Sequence, residues 1–164
     1  MINCGVARKP RDSNFCLEPK RRTYMSNQDC EMQAFNYLAR REHSRLELER
    51  KLAAKGYEKD IIKLALDKLK SKNLQSDARF AENYTKARAS RGYGPVRITL
   101  ELRERGVNDV DITSALNSYV EQHADWAELA AQVLRKKFGS VIPAKYSPEH
   151  KKQLQFLYYK GFND

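Results

Sequence analysis

The chain has 164 residues, of which 41% are hydrophobic and 32% charged, and its formal net charge is +10 at pH 7. No stretch approaches the ~18 consecutive apolar residues of a membrane helix, and residues 1–24 lack the apolar segment of a secretory signal, so we expect a cytoplasmic protein without membrane contact. The excess of positive charge predicts an acidic partner, such as a nucleic acid, a nucleoprotein or an acidic protein surface.

Residues 1–28 are polar, contain two prolines and carry a local excess of Arg and Lys, which predicts a flexible basic arm. The arm either seeks nucleic acid or is a solvated leader, and the sequence supports both interpretations equally. The three cysteines, Cys4, Cys16 and Cys30, share no zinc-binding spacing with the three histidines. We interpret them as free thiols in a mobile tail and in a reducing compartment.

From Asp29 onward, apolar residues recur every three or four positions, and no stretch alternates with a period of two. This periodicity predicts amphipathic helices and leaves no place for a sheet. Three of these helices are expected around residues 29–42, 77–91 and 125–138. The recurring residues are Phe35, Leu38, Ala39, Leu48, Leu52, Ile62, Leu66, Leu69, Phe80, Tyr84, Ile98, Leu102, Ile112, Leu116, Tyr119, Trp126, Ala130, Val133, Leu134, Leu154, Leu157 and Tyr158.

Helix ends are marked by glycines at three places, Gly56, Gly106 and Gly161. Each glycine follows a basic residue and precedes an apolar one, which predicts a left-handed C-terminal cap closed by a hydrophobic contact. At a helix start, Ser44 and Glu47 have the spacing of a capping box, in which each side chain accepts a hydrogen bond from the other residue's backbone N–H.

The pattern repeats along the chain. A shift of 50 residues places Leu52 on Leu102 and Gly56 on Gly106, and a further shift of 55 places Gly106 on Gly161. A three-helix unit of this size is too small to bury its own faces well, so neighbouring units should stack. We therefore predict an all-α fold, a tandem array of three-helix repeats that is elongated and curved.

The third unit is expected to lack its final helix, because the sequence ends where that helix should start. Either the natural protein stops here or the sequence was cut. An apolar face of this unit should therefore remain uncovered. The predicted organisation is a basic arm at 1–28, repeats at 29–75 and 76–122, and an incomplete third repeat at 123–164.

No pattern of catalytic residues stands out. The sequence contains no glycine-rich phosphate loop and no paired-histidine metal motif, and its three histidines lie far apart. Glu101 and Glu104 are surrounded by arginines, and we interpret them as solvated salt-bridge partners. We predict a non-enzymatic protein without cofactor or metal.

The segment from residue 77 to residue 106 combines turn and core signals. We expect Asp77 or Ser76 to cap a helix that buries Phe80, and Gly92 to end that helix. The next helix should start at Gly94 and Pro95, with Tyr93 packed at the corner and Gly106 at the far end. These assignments are structural.

Three arginines near the same corner are candidates for binding: Arg88, Arg91 and Arg97. Their guanidinium groups could converge on a phosphate or on a carboxylate cluster, although a solvated face would have the same sequence pattern. Basic residues also end the first helix of the other units, so a stacked array would present a basic stripe suited to a groove or filament. Favourable contact with the helix dipole is the alternative explanation. These further candidates are Arg40, Arg41, Arg135 and Lys136.

The chain from Phe35 to Asp164 resembles the RecX family of bacterial recombination regulators. The resemblance rests on the repeat pattern and on the run from Asp77 through Gly92-Tyr93-Gly94-Pro95 to Gly106, with support from Lys136-Lys137-Phe138-Gly139. It implies an array of tandem three-helix repeats. Family members usually continue into one more helix beyond the position of Asp164.

The resemblance also implies a function. Such proteins bind the recombinase RecA, lodge in the groove of the RecA–DNA filament and limit its growth, which reduces strand exchange, ATP hydrolysis and the co-protease activity of the SOS response. The seven basic candidates would then contact RecA or DNA, and we expect a monomer. The alternative is a direct, non-specific binding module for DNA or RNA, because three-helix units can resemble helix-turn-helix domains.

Overall fold

The computed structural model describes residues 26–123 and 125–162, and every regular element in these ranges is an α-helix. The predicted all-α fold is confirmed for this part of the chain. The first three helices are α1 (Asn27–Leu38), α2 (Arg45–Ala54) and α3 (Lys59–Ser71). The next three are α4 (Asp77–Ala89), α5 (Pro95–Glu104) and α6 (Asp109–Gln122). The last two are α7 (Trp126–Phe138) and α8 (Pro148–Lys160).

The helices pack in three successive groups, which we call units one, two and three. Helices α1, α2 and α3 contact one another, α4, α5 and α6 do the same, and α7 contacts α8. Units one and two each enclose a core of their own, although a single unit was expected to be too small to bury its own faces well. The core of unit one consists of Cys30, Ala34, Leu48, Leu52, Ile62, Ala65, Leu66 and Leu69. The core of unit two consists of Phe80, Ala81, Ala89, Ile98, Leu102, Val107, Ile112, Ala115 and Tyr119.

The placement of Cys30 corrects the prediction of thiols in a mobile tail. Cys30 lies in the first turn of α1, and its side chain is fully buried in the core of unit one as a free thiol. Helix α1 already begins at Asn27, so the last residues of the expected arm are helical. Cys4 and Cys16 lie outside the residues that the structure describes, as does the rest of the arm.

Unit three differs from the other two in burial. No residue of α7 or α8 is buried, and Val141 and Ile142 in the connecting loop are 79% and 92% exposed. Unit three therefore encloses no buried core of its own among the described residues. A stack of the Trp126 ring on the Tyr119 ring, with centroids 4.7 Å apart, joins the start of α7 to the core of unit two.

The three predicted glycine caps are confirmed. Gly56, Gly106 and Gly161 all have positive φ. In each case the next residue donates its backbone N–H to a carbonyl five residues earlier, as Phe162 does to the Leu157 oxygen at 3.0 Å. This hydrogen bond satisfies a carbonyl group that the helix end would otherwise leave unpaired.

The cap of α8 also joins unit three to unit two. The main-chain oxygen of Lys160 accepts from the Gly94 N–H at 2.8 Å, and that of Gly161 accepts from the Val96 N–H at 3.1 Å. The C-terminus of α8 thus pairs with the N-terminus of α5, where free N–H groups are available. The backbones approach so closely that a side chain on Gly161 would collide with Arg97.

A similar contact joins unit two to unit one. The Ser44 hydroxyl donates to the main-chain oxygen of Arg105 at 2.8 Å and accepts from the Glu47 N–H at 3.1 Å. The capping box predicted for Ser44 and Glu47 is therefore only half formed. The Glu47 carboxylate instead contacts the His43 ring and forms ion pairs with Arg41 and Arg105.

Candidate functional site

The corner between α4 and α5 is organised around the carboxylate of Glu101. It accepts from the Tyr84 hydroxyl at 2.8 Å, from the Arg97 Nε at 3.2 Å and from the Arg88 guanidinium. Burial alone would raise the pKa of Glu101, but the hydrogen bonds from Arg88, Tyr84 and Arg97 outweigh it and hold the pKa below its ordinary value. Glu101 is therefore ionised at neutral pH, and its carboxylate is bound by side chains of the same molecule.

The ring of Tyr93 lies against three cationic side chains at the same corner. The Arg88 Cζ is 4.0 Å from the ring centroid, the Arg97 Cζ is 5.2 Å away and the Lys160 Nζ is 4.2 Å away. Each of these contacts is a cation–π interaction. Because Lys160 comes from α8, the Tyr93 ring links unit three to the turn that precedes α5.

Two of the three arginines predicted to converge do so, and their target is a carboxylate. Arg88 and Arg97 both bind Glu101, whereas Arg91 is exposed and takes no part in this cluster. Glu101 was predicted to be a solvated salt-bridge partner. It does form salt bridges, but it is not solvated, because its side chain is only 15% exposed. Glu104, by contrast, is exposed as expected.

A basic cleft of about 630 Å³ lies between units two and three. Four cationic side chains line it, from the turn after α4, the end of α7 and the end of α8, and no carboxylate is among its lining residues. Cations concentrated in a concave site create a positive local potential, which suits phosphate groups. The lining residues are Ser90, Arg91, Gly92, Leu129, Gln132, Val133, Lys136, Lys137, Phe156 and Lys160.

The cleft unites two of the predicted candidates with residues that the sequence analysis did not select. Arg91 and Lys136 were candidates from their positions at the expected ends of the first helices of units two and three. Lys137 and Lys160 were not, and Lys160 reaches the cleft only because the α8 cap docks on α5. Phe156, which packs edge-on against Phe138 with ring centroids 5.5 Å apart, adds an aromatic wall.

The remaining candidates do not join this cleft. Arg41 forms an ion pair with Glu47 at 3.2 Å, while Arg40 and Arg135 are exposed. Glu47 also contacts Arg105 at 3.4 Å, so Arg41 belongs to the junction of units one and two. The basic stripe expected across all three units is thus represented by one cleft, between units two and three, and by separate residues on unit one.

The residues of segment 77–106 that were expected to be structural lie at the helix ends and in the core, as predicted. Ser76, the alternative to Asp77, is the residue whose side chain caps α4, and Asp77 instead accepts from the Arg45 N–H at 2.8 Å. Phe80 is buried in the core of unit two. Gly92 follows α4 with a φ of 73°, Gly94 is the N-cap of α5 and Pro95 is its first residue.

Two features are absent from residues 26–123 and 125–162. No helix in these ranges is long and apolar enough to cross a membrane. No group of three or more His, Cys, Asp or Glu side chains within them is arranged to hold a metal ion.

The fold and the cleft together define a class, namely helical-repeat proteins that present a basic cleft between successive three-helix units. Family models match the chain in order along its length: the first three-helix domain of RecX matches residues 32–69, the second 76–116 and the third 124–163. The chain belongs to the RecX family.

Similar proteins support this assignment. The chain is 41% identical over 129 residues to the regulatory protein RecX of Pseudomonas savastanoi pv. phaseolicola, covering 79% of this chain and 81% of the relative. It is 40% identical over 130 residues to the regulatory protein RecX of Stenotrophomonas maltophilia, covering 79% and 77%. The crystal structure of RecX from Lactobacillus salivarius matches with a TM-score of 0.68 at 27% identity, covering 84% of this chain and 88% of that one.

Proposed function

We propose that this protein binds RecA and the RecA–DNA filament and limits filament extension. Reduced ATP hydrolysis, strand exchange and co-protease activity would follow, so the protein would regulate recombination, DNA repair and the SOS response in the cytoplasm. The observation that carries the proposal is membership of the RecX family, whose similar members are regulatory proteins. A steric mechanism, in which the array occupies the filament groove or a growing end, needs no catalytic group.

The basic cleft supplies a physical basis for contact with a nucleoprotein. Its four cations, Arg91, Lys136, Lys137 and Lys160, have no carboxylate beside them in the lining, so their charge is available to phosphate or to an acidic protein surface. Arg88 and Arg97 act differently in this proposal, because the Glu101 carboxylate already neutralises them. They position the turn that carries Arg91.

Direct, non-specific binding of DNA or RNA is the second candidate function, and the same cleft favours it. A helix-turn-helix mode, with the third helix of every unit in a groove, fits less well. Helix α6 contains Asp109, Asp111 and Glu121 but no Lys or Arg, so a DNA backbone would be repelled from it. The candidate nucleic-acid contact is therefore the cleft.

The test of the proposal is RecA's single-stranded-DNA-dependent ATPase, with the protein titrated in at substoichiometric levels and DNA in excess. We expect ATP hydrolysis to fall when the protein is far scarcer than the DNA sites, because each bound copy would stop the growth of a whole filament. Loss of ATPase only when the protein saturates the DNA would favour the direct nucleic-acid binder. No loss at any ratio would contradict the proposal.

A further inference from the structure

A second concave surface lies on unit one, between α2 and α3, and shares no residue with the basic cleft. It has a volume of about 490 Å³, enough for two or three large apolar side chains. Its floor is apolar, formed by Leu46, Ala53 and the buried Ile62. The remaining lining residues are Arg45, Glu49, Arg50, Lys59 and Lys63. We call this surface the α2–α3 groove.

The repeat shows one difference between this groove and the corresponding surface of unit two. In unit two, Arg103 on α5 and Asp109 on α6 form an ion pair at 2.7 Å that bridges the two helices. The 50-residue shift places Ala53 and Lys59 at these two positions in unit one. Ala53 is too short to bridge, and Lys59 has the opposite charge to Asp109, so no side-chain bridge covers the floor there.

The charge on the groove is one-sided. Arg45 at one end is neutralised by Glu49 at 3.1 Å and by Asp67 at 2.8 Å. Arg50 on α2 and Lys59 and Lys63 on α3 form no ion pair among the described residues. An apolar floor is therefore flanked by free positive charge from both helices.

We propose that the α2–α3 groove docks an acidic amphipathic helix of a partner protein. Apolar side chains spaced by one helical turn would fill the floor, and carboxylates beside them would meet Arg50, Lys59 and Lys63. A nucleic acid matches less well, because phosphates gain nothing from the apolar floor and would approach Glu49 and Asp67 at one end. This inference does not depend on RecA or on the basic cleft.

The probe for this proposal is a fluorescein-labelled synthetic helix with leucines along one face and glutamates along the other, titrated with the full chain in fluorescence anisotropy. We expect saturable binding. A permuted peptide of the same composition has no continuous apolar face, and it should bind at least about tenfold more weakly. Equal binding of the two peptides would mean that charge alone attracts them, and it would overturn the proposal.

Two variants locate the site. The double substitution Ala53→Arg with Lys59→Asp rebuilds the ion pair of unit two across the groove, and it should weaken probe binding at least about tenfold. Lys59→Glu with Lys63→Glu should do the same by reversing the charge. The matched control is Lys70→Glu with Lys86→Glu, which changes the net charge equally at exposed positions outside the groove and should preserve binding.

The substituted lysines and Ala53 are exposed, so the fold should survive, and circular dichroism with thermal unfolding verifies this for each variant. Probe binding that survives the rebuilt ion pair, or that the control abolishes equally, would overturn the proposal. A single-stranded oligonucleotide serves as competitor. If it displaces the probe and itself loses affinity for the Ala53→Arg, Lys59→Asp variant, the groove is a nucleic-acid site and the proposal fails. RecA plays no part in these readouts, so they are independent of the proposed function.

Discussion

Arg97 donates a hydrogen bond from its Nη1 to the main-chain oxygen of Tyr159, 3.1 Å away. Its Nε donates to Glu101 at 3.2 Å, so one guanidinium joins a carboxylate of α5 to the backbone of α8. The planar fork of an arginine suits this double role better than a lysine would. The junction between units two and three is therefore a specific polar contact as well as an apolar one, and it fixes the walls of the basic cleft.

The closeness of this junction predicts different effects for two equivalent glycines. Gly161→Ala should destabilise the fold by more than the ~1–2 kcal/mol that a left-handed conformation costs an L-residue, because the new methyl group would also collide with Arg97. Gly56→Ala is the control, since Gly56 has a φ of +93° but nothing within 4 Å of an added Cβ. Urea unfolding measures the free energy of unfolding that each variant loses relative to the wild type. Equal losses would show that the α8 cap does not pack against α5 as described.

The Glu101 cluster predicts a stability that depends on pH. Glu101→Gln should lower the free energy of unfolding at pH 7 by about 2 kcal/mol, since hydrogen bonds to a charged, mostly buried group are lost. The pKa of Glu101 is lowered from 4.5 in the folded state, so its contribution is complete above pH 4.5 and is lost as the pH falls through the lowered value.

The measurement for Glu101 is urea unfolding of both proteins at neutral and acidic pH. The difference between wild type and Glu101→Gln should shrink in acid, because both side chains are then uncharged. A difference that stays constant with pH would contradict the ionised cluster. Glu104→Gln is the matched control, because Glu104 is exposed one turn away on the same helix and should change stability little.

His43 predicts a second pH dependence, nearer neutrality. Burial lowers the pKa of His43 from 6.5, and the hydrogen bond with Glu47 only partly offsets it. The unfolded chain therefore takes up a proton first, so stability is complete above pH 6.5 and declines as the pH falls towards the lowered pKa. His43→Asn should flatten the free energy of unfolding plotted between pH 7.5 and 5.5. An unchanged slope would exclude His43 as its source.

The helices, their caps and the repeat were predictable because they are encoded locally. The cap at Gly161, for example, needs only a basic residue before the glycine and an apolar one after it. The partners of Glu101 were not predictable, because Tyr84 and Arg88 meet it only after α4 packs on α5. Lys160 was missed as a cleft residue for the same reason, since it lies far from Arg91 in sequence. Cys30 was missed because its neighbours in sequence are polar.

The burial of Cys30 predicts a protected thiol. Burial raises the pKa of the Cys30 thiol, and the nearby Glu31 raises it further, so the reactive thiolate is scarce. In a variant with Cys4→Ser and Cys16→Ser, alkylation by iodoacetamide should be slow in native buffer and rapid in urea. Rapid native labelling would contradict the packing of α1. Adding Cys30→Ser should cost ~1–3 kcal/mol of stability, because a hydroxyl would replace a sulfur in an apolar core.

Charge reversal in the basic cleft tests its role directly. Arg91→Glu with Lys136→Glu should weaken the proposed inhibition of RecA's ATPase, because two of the four cations would then repel an acidic partner. Lys86→Glu with Lys151→Glu alters the net charge equally at exposed positions outside the cleft and should leave inhibition intact. If the contact is with DNA phosphates, the slope of log affinity against log salt should become shallower by about 2 in the cleft variant. Inhibition reduced equally by both pairs would mean that total charge matters rather than the cleft.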